Sequence, residues 1–337
     1  MESQLLLEPA GSPVAACGHM LAIQSQDFLA GRYALAQRAG ASVTRQEVDA
    51  CFRSGQMVRS WTMRGTLHTV LSRDVRWLMA LTKKRTLQKV APRLRELQIS
   101  TATIDTAGTL IHDCLEVHGS ASRKALYAEL NAHGIETTNQ RGIHLLMVLV
   151  QDALICLGPI PEGAAKAAQD FVLLDQWVRT HREPKEPLQE LLVRYLSSHG
   201  PATLRDAAWY NGQTLTAIRR AAADLGAALS SAGVDGGGED LWVVACSGAE
   251  RQIAAGERTG LPPRLLGSFD EYYLSYAQRS TVATEELARQ IAPGKNGMFL
   301  PFWLVDGQAQ RLWNAKAAPT DSLGAALHQR YLAFRSD

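Results

Sequence analysis

Amphipathic segments with helical periodicity dominate the chain. Apolar residues recur at positions i, i+3, i+4 and i+7 in five segments, at residues 29–40, 105–119, 141–155, 187–200 and 216–229. Several of these segments end with Gly, the residue that favours helix C-caps. Short strand-like segments follow the helical ones, at residues 154–159, 171–177, 241–247 and 298–307. The pattern predicts a mainly α-helical protein with small β elements.

One motif occurs twice. His118–Ser122 recurs 81 residues later as His199–Thr203, and each copy follows an amphipathic helix and precedes a short helix, a polar turn, a second helix and strands. Ser122 and Thr203 are suitable N-caps for the short helices. A weaker copy of the start of this motif lies at residues 38–52. We therefore predict tandem winged helix-turn-helix motifs that form a concave DNA-binding architecture.

Composition along the chain also suggests domain boundaries. Residues 179–187 are charged and contain proline, which indicates a linker, and the glycine-rich segments 231–240 and 293–297 indicate exposed turns. The predicted organisation is an N-terminal winged-helix region at 1–100, a second winged helix at 101–180, a third at 185–250 and a C-terminal α+β segment at 251–337.

Cysteine content and hydropathy restrict the compartment. No apolar run has the length that a membrane span needs, and the N-terminus lacks the basic region of a secretory signal. The five cysteines are scattered and form no CxxC pair, which excludes a disulfide framework and a cysteine-rich zinc site. We expect a cytoplasmic protein with no membrane partner, no metal and no cofactor.

Positive charge is concentrated near the N-terminus. Residues 1–100 carry a net charge of +7 and the remainder −5, and residues 45–95 contain 12 basic and 3 acidic side chains. Such a local excess is typical of a surface that binds a polyanion, although a merely solvated basic face has the same composition.

Two segments carry candidate chemistry, whereas HExxH, GxSxG, P-loop and GxGxxG motifs are absent. Gln24 and Gln26 place two uncharged amides side by side before a helix; local helix capping is the alternative role. Residues 59–68 alternate basic and apolar side chains and end in His68. A half-buried strand with a structural histidine explains that second pattern equally well.

In combination, these segments resemble the AlkZ/YcaQ group of bacterial winged-helix DNA glycosylases. The resemblance covers nearly the whole chain and rests on the Gln-x-Gln motif at 24–26, MRGTLH at 63–68, GPATLRDAAWY at 200–210, LLGSFDEYYLSY at 265–276 and LVDGQAQRLW at 304–313. The Gln-x-Gln pair is typical of AlkZ-type members, and YcaQ-type members have Asp at the second position. Ser25 departs from the hydrophobic residue that is common between the two glutamines.

The resemblance implies that Gln24 and Gln26 are catalytic. Cleavage of a base–sugar bond passes through an oxocarbenium-like transition state. A purine alkylated on a ring nitrogen is already cationic and leaves without a general acid, so two neutral amides need only position a water. Asp27 could add electrostatic help, although a charge that favours the helix dipole is the simpler role. Asp270 and Glu271 lie among aromatic residues, which indicates a packed structural element.

The expected partner is double-stranded DNA with alkylated purines. Candidate DNA-binding residues are Arg59, Arg64, Thr66, His68, Lys83, Lys84 and Arg85. For His68, support of Gln24 is an alternative to a backbone contact, and for residues 83–85 a solubilising helix surface is the alternative.

We therefore predict a monomeric, monofunctional DNA glycosylase for bulky or crosslinking N7-alkylguanine-type lesions, associated with the nucleoid when bound to DNA. It would serve base excision repair or self-resistance to a genotoxic natural product. The alternatives are a non-catalytic winged-helix transcriptional regulator and a family member that only binds lesions. A regulator would bind a specific sequence and would not depend on Gln24 or Gln26.

Overall fold

The polypeptide forms two compact units. The computed structural model describes residues 1–161, 168–248, 250–251, 260–294, 297–316 and 322–337. One unit contains Met1–Val48 and Leu188–Asp337, and the other contains Asp49–Pro187. The boundary at Pro187 coincides with the end of the predicted linker. Within the described ranges, no helix combines the length and the apolar character that crossing a membrane requires.

Helices form most of the regular structure. They are α1 (Pro13–Met20), α2 (Phe28–Ala39), α3 (Arg45–Arg53), α4 (Ser72–Glu96), α5 (Thr101–His118), α6 (Arg123–Ala132), α7 (Arg141–Gln151), α8 (Leu174–Trp177), α9 (Pro187–His199), α10 (Leu204–Asn211), α11 (Leu215–Leu225), α12 (Glu271–Leu274), α13 (Glu285–Ile291) and α14 (Ser322–Ser336). Each of the five segments with helical periodicity forms a helix: α2, α5, α7, α9 and α11.

The strands are short and form small sheets. They are β1 (Ala22–Gln24), β2 (Met57–Trp61), β3 (Leu67–Leu71), β4 (Ile155–Leu157), β5 (Phe171–Leu173), β6 (Leu229–Val234), β7 (Asp240–Val244), β8 (Arg264–Leu266), β9 (Phe302–Val305) and β10 (Gln308–Leu312). The predicted fold class, mainly helical with small β wings, is confirmed. The turn predicted at 231–240 is shorter than expected, because its ends belong to β6 and β7. The turn predicted at 293–297 includes residues 295 and 296, which lie outside the described residues.

The repeated motif occupies equivalent positions in its two copies. α5 ends at His118 and α9 ends at His199. Ser122 and Thr203 then cap α6 and α10 as predicted, because each hydroxyl accepts the backbone N–H three residues later. The start of α10 is reinforced by a capping box, in which the side chain at the third helical position bonds back to Thr203.

The residue before each cap also pairs with a strand. Ala121 forms a bridge with Phe171 of β5, and Ala202 forms one with Trp242 of β7. Each copy thus has the order helix, helix, turn, helix and two-stranded hairpin that defines a winged helix. The division of the whole chain at residues 100, 180 and 250 stays a prediction.

The unit of residues 49–187 contains a strand order β3-β2-β4-β5. β2 and β3 form an antiparallel hairpin in which Met57 faces Leu71 and Trp61 faces Leu67. The hairpin turn contains Arg64 and Gly65 in left-handed conformations, with φ of 57° and 73°. This conformation suits Gly65 but costs a non-glycine residue some free energy.

The C-terminal part of the other unit has its own apolar core. β8, β9 and β10 form an antiparallel sheet in the order β10-β9-β8. One face contributes to a cluster of Leu6, Leu266, Tyr273, Val282, Ala283, Leu287, Ile291, Phe302, Leu304 and Ala309. Trp303 and Trp313 form a second cluster with Leu265. This sheet therefore has buried side chains on both faces.

A buried ion pair joins α2 to the start of α12. Both side chains are fully buried, and Arg38 Nη2 and Nη1 donate to Asp270 Oδ1 and Oδ2 at 2.7 and 3.0 Å. Gln4 Oε1 accepts from the same guanidinium at 2.9 Å, and Asp270 also accepts the Tyr272 N–H as the N-cap of α12. Such a bidentate pair fixes both position and orientation.

Removal of one partner from this pair should strongly destabilise the fold. We expect Arg38→Met to reduce the free energy of unfolding by about 3–5 kcal/mol, because it leaves a buried carboxylate without its counter-charge. Urea denaturation measures the change. Arg289→Met is the matched control, since Arg289 and Glu285 form an exposed pair. Equal stability of the two variants would contradict the structural importance of the buried pair.

Candidate active site

The two glutamines flank a tight connection between β1 and α2. Gln24 is the last residue of β1, and Gln26 lies in the bend before α2. The side chain of Gln24 is buried, with 6% exposure, whereas Gln26 is exposed. Gln24 Oε1 accepts the backbone N–H of Gln26 at 3.2 Å. The buried amide of Gln24 therefore fixes the backbone turn that contains the exposed Gln26.

Asp27 caps α2. Its Oδ1 accepts the Ala30 N–H at 3.1 Å, and its backbone is extended, as is usual for an N-cap. A carboxylate at this position also interacts favourably with the positive end of the helix dipole. The observed contact matches the simpler of the two roles predicted for Asp27.

Gly31 allows α2 to approach the glutamine segment, residues 24–26, closely. A Cβ atom at Gly31 would lie 2.9 Å from Ser25 Cβ and 3.0 Å from the backbone oxygen of Gln24. Ser25 is fully buried, and its hydroxyl donates to Ile23 O at 3.0 Å. Because those contacts involve Cβ and main-chain atoms, a side chain at Gly31 would displace the backbone of residues 24–25.

Glu271 connects the glutamine segment to α12. The Gln24 N–H donates to Glu271 Oε1 at 2.5 Å, and the second carboxylate oxygen accepts the Ser275 hydroxyl. Glu271 is fully buried. Asp270, which precedes it, carries the ion pair with Arg38. Both acids of this segment therefore make structural contacts, consistent with the packed element that the sequence predicts.

Two of the predicted DNA-binding residues are buried in the unit of residues 49–187. Arg59 on β2 has 8% exposure, and its guanidinium donates to Gln169 Oε1 at 3.3 Å. His68 on β3 is completely buried. Neither side chain reaches the surface in this structure, so their contact with DNA stays a prediction.

His68 contacts two residues of the hairpin turn between β2 and β3. Its Nδ1 lies 3.0 Å from Thr66 O, which can only accept a hydrogen bond, so Nδ1 carries the proton of the neutral ring. Nε2 then faces Arg64 Nη2 at 3.5 Å. Burial and, secondarily, the charge of Arg64 lower the pKa of His68 to about 3. The imidazole is therefore neutral at physiological pH.

The remaining candidates for DNA binding are more accessible. Arg64 and Thr66 are half-buried at the hairpin turn. On α4, Lys84 and Arg85 are exposed, and Lys83 forms a 2.8 Å ion pair with Asp152. Gln24 and Gln26 lie close together in one unit, and all seven predicted DNA-binding residues lie in the other.

Comparison with known proteins identifies the family of this chain. The family described as DNA glycosylase AlkZ-like matches residues 17–328. The chain belongs to the AlkZ-like DNA glycosylases. This membership confirms the resemblance seen in the sequence motifs and covers both compact units.

Two comparisons with proteins of Streptomyces sahachiroi agree with this membership. A curated relative named interstrand DNA cross-link repair glycosylase is 25% identical in an alignment of 335 positions that covers 91% of this chain and 84% of the relative. The solved structure of the S. sahachiroi DNA glycosylase AlkZ has a TM-score of 0.78 at 20% identity, and the match covers 99% of this chain and 94% of that structure. The second similarity shows that the fold is shared.

Sequence reasoning missed two residues that shape the site of this AlkZ-like chain. Gly31 lies in the first turn of α2, and no pattern marked it as a point of close contact. Glu271 lies in a motif that the sequence analysis did identify, but its bond to Gln24 spans 247 positions. Only the three-dimensional structure brings these residues together.

Gly31→Ala should disturb the glutamine segment without unfolding the protein. We expect glycosylase activity to fall at least about tenfold, because the new methyl group displaces residues 24–25 and small misplacements of reacting groups are costly. Base release from alkylated duplex DNA and thermal denaturation measure activity and folding.

Gly267→Ala is the control for Gly31→Ala. A Cβ atom at residue 267 would lie 3.5 Å from Ala30 Cβ, which is an ordinary van der Waals distance. Ala30 is the residue before Gly31 in α2. Adding Ser25→Gly to Gly31→Ala removes the Ser25 atoms that clash and should restore part of the activity. Full activity of Gly31→Ala alone would contradict the close-contact explanation.

Proposed function

We propose that this chain hydrolyses the N-glycosidic bond of cationic alkyl-purine lesions in duplex DNA, of the N7-alkylguanine type. The observation that carries the proposal is the pair Gln24 and Gln26, two uncharged amides whose connection is fixed by the Gln24–Gln26 and Gln24–Glu271 hydrogen bonds. Because the chain belongs to the AlkZ-like DNA glycosylases, cleavage of a base–sugar bond is the reaction in which this pair would act.

The amides suit the task of holding a water at the anomeric carbon. A carbonyl oxygen has two acceptor positions. One position of Gln24 Oε1 accepts the Gln26 N–H, so the other can accept from a water. Gln26 is exposed and adds a second amide beside it. An amide does not titrate usefully, so these groups would accelerate the reaction by positioning rather than by general base catalysis.

The neighbouring carboxylates favour lesions that need no protonation. Glu271 uses its two oxygens to accept from Gln24 and Ser275, and Asp270 is paired with Arg38. Asp27 caps α2 beside the glutamines. With these carboxylates engaged in structural contacts, a purine that is already cationic is the substrate that fits. We include in the proposal that the enzyme is a monofunctional, metal-free hydrolase and that it acts as a monomer.

Bulky and crosslinking adducts are included in the proposal. The curated S. sahachiroi relative is named for interstrand DNA cross-link repair, and it matches most of this chain. We infer a related role here in base excision repair or in self-resistance to a DNA-alkylating natural product. The same assignment implies that the protein works in the cytoplasm on the nucleoid.

Basic residues in the other unit would hold the duplex. Lys84 and Arg85 are exposed on α4, and Arg64 lies at the hairpin turn. Phosphate contacts of this kind position the protein on DNA without reading sequence. Lesion chemistry, rather than sequence, would then determine where the enzyme acts.

Loss of either glutamine amide should abolish most base release. We expect Gln24→Ala and Gln26→Ala to lower the single-turnover rate on 7-methylguanine duplex by about 100-fold, because the water loses its position. Gln329→Ala, at an exposed position of α14, is the matched control and should retain the normal rate. Lesion binding without base release by the unmodified protein would contradict the enzyme and favour a binding protein or regulator.

The basic surface of α4 should determine the salt dependence of binding. Replacing Lys84 and Arg85 with Gln should reduce the slope of log K against log salt concentration by about 2, since each lost phosphate contact removes about one released counterion. Fluorescence anisotropy across a salt titration measures the slope. The control is Gln at Arg123 and Lys124, an exposed basic pair at the start of α6. An equal decrease of the salt-dependence slope in both double variants would show that the effect depends on net charge and not on the surface of α4.

A further inference from the structure

Trp209 on α10 is an unusually accessible aromatic side chain. It has 43% exposure, whereas Trp61, Trp77, Trp303 and Trp313 have 5–7%. An exposed indole offers a large flat surface with little conformational entropy to lose on binding. Packing within the unit does not account for the accessible part of this ring.

The indole ring is nevertheless held in one orientation. Trp209 Nε1 donates to Leu274 O at 2.9 Å. The Arg279 guanidinium carbon lies 5.1 Å from the ring centroid, within the distance at which a cation is attracted to an aromatic ring. The hydrogen bond fixes the edge of the ring and Arg279 contributes to its support, so the ring is pre-organised.

The same elements hold the glutamine segment. Leu274 and Glu271 are the two ends of the single turn α12, and Glu271 accepts the Gln24 N–H. Tyr210, the residue after Trp209, donates its hydroxyl to Ala22 O at 3.0 Å, at the start of β1. α12 therefore holds the indole through Leu274 at one end and Gln24 through Glu271 at the other, and α10 carries both Trp209 and a residue bonded to β1.

We propose that the exposed surface of Trp209 is a stacking site for a flat aromatic group of the DNA substrate. This inference rests on the proposed function, because it assigns the site to the DNA substrate of the paired amides. Two sources supply such a group: a nucleobase next to the lesion, and an aromatic portion of a bulky adduct. Both would be recognised by the same stacking interaction.

The test compares two lesions in one duplex sequence. One duplex carries 7-methylguanine, and the other carries an N7-guanine adduct with an attached polycyclic aromatic group. For Trp209→Ala we expect KM to rise about tenfold with kcat nearly unchanged, since stacking on an aromatic side chain contributes affinity and not bond cleavage. Trp209→Phe should retain most of the affinity. Leu323→Ala, an exposed apolar position of α14, is the control.

The outcomes separate the sources of the aromatic group. A rise in KM on both duplexes assigns the site to a nucleobase, and a rise only on the polycyclic adduct assigns it to the adduct. Unchanged KM on both duplexes would overturn the proposal. A fall in kcat or in melting temperature without a change in KM, or failure of Trp209→Phe to restore affinity, would show a purely structural role and would also overturn it.

A binding measurement separates this proposal from the glycosylase proposal. Anisotropy with the same two duplexes gives the affinity of each variant without requiring base release. If no adduct is released, the proposed function fails, while weaker binding by Trp209→Ala still supports the stacking site. Quenching of tryptophan fluorescence on DNA binding that is lost in Trp209→Phe would support stacking directly, and quenching that persists unchanged would contradict it.

Discussion

The hydrogen bond from the Gln24 N–H to the buried carboxylate of Glu271 is the contact on which the rest of the site depends. A buried carboxylate is tolerated only where its oxygens are satisfied, and here the Gln24 amide and the Ser275 hydroxyl do so. The adjacent Asp270 is paired with Arg38 of α2, so α12 is joined both to β1, which ends at Gln24, and to the helix that follows Gln26. The position of Gln26 follows from those two connections.

The roles that we propose for the two units follow from the distribution of charge between them. Uncharged amides occur in the unit that contains α12, and the concentration of basic residues at 45–95 falls almost entirely in the other unit. Positive charge attracts a polyanion over long distances. A cationic base needs no general acid to leave, and basic side chains close to it would repel it. This arrangement suits an enzyme that binds duplex DNA nonspecifically and selects its target by the chemistry of the lesion.

Local patterns predicted much of the fold, and tertiary contacts determined the rest. Helical periodicity located α7 and α9, and the repeated motif located the caps Ser122 and Thr203, because those features depend on neighbours in sequence. The 25-residue helix α4 was less evident, since its buried apolar residues lie in its first half and a basic run follows them. The motif at 24–26 was found by resemblance, but the contact of Gly31 with Ser25 and the bond to Glu271 arise only when distant segments pack. Burial of His68 matches the alternative of a strand with a structural histidine, but tertiary packing buries the whole strand and not half of it.

In the proposed mechanism, paired amides catalyse the departure of bases that are already cationic. The most direct test is single-turnover base release from matched duplexes that contain 7-methylguanine, which is cationic, or hypoxanthine, which is neutral. Catalysis by positioning alone should give rapid release of 7-methylguanine and no detectable release of hypoxanthine between pH 6 and 8, because the neutral base requires a general acid. Release of both bases at comparable rates would show that a proton donor acts in the site and would rule out catalysis by the two amides alone.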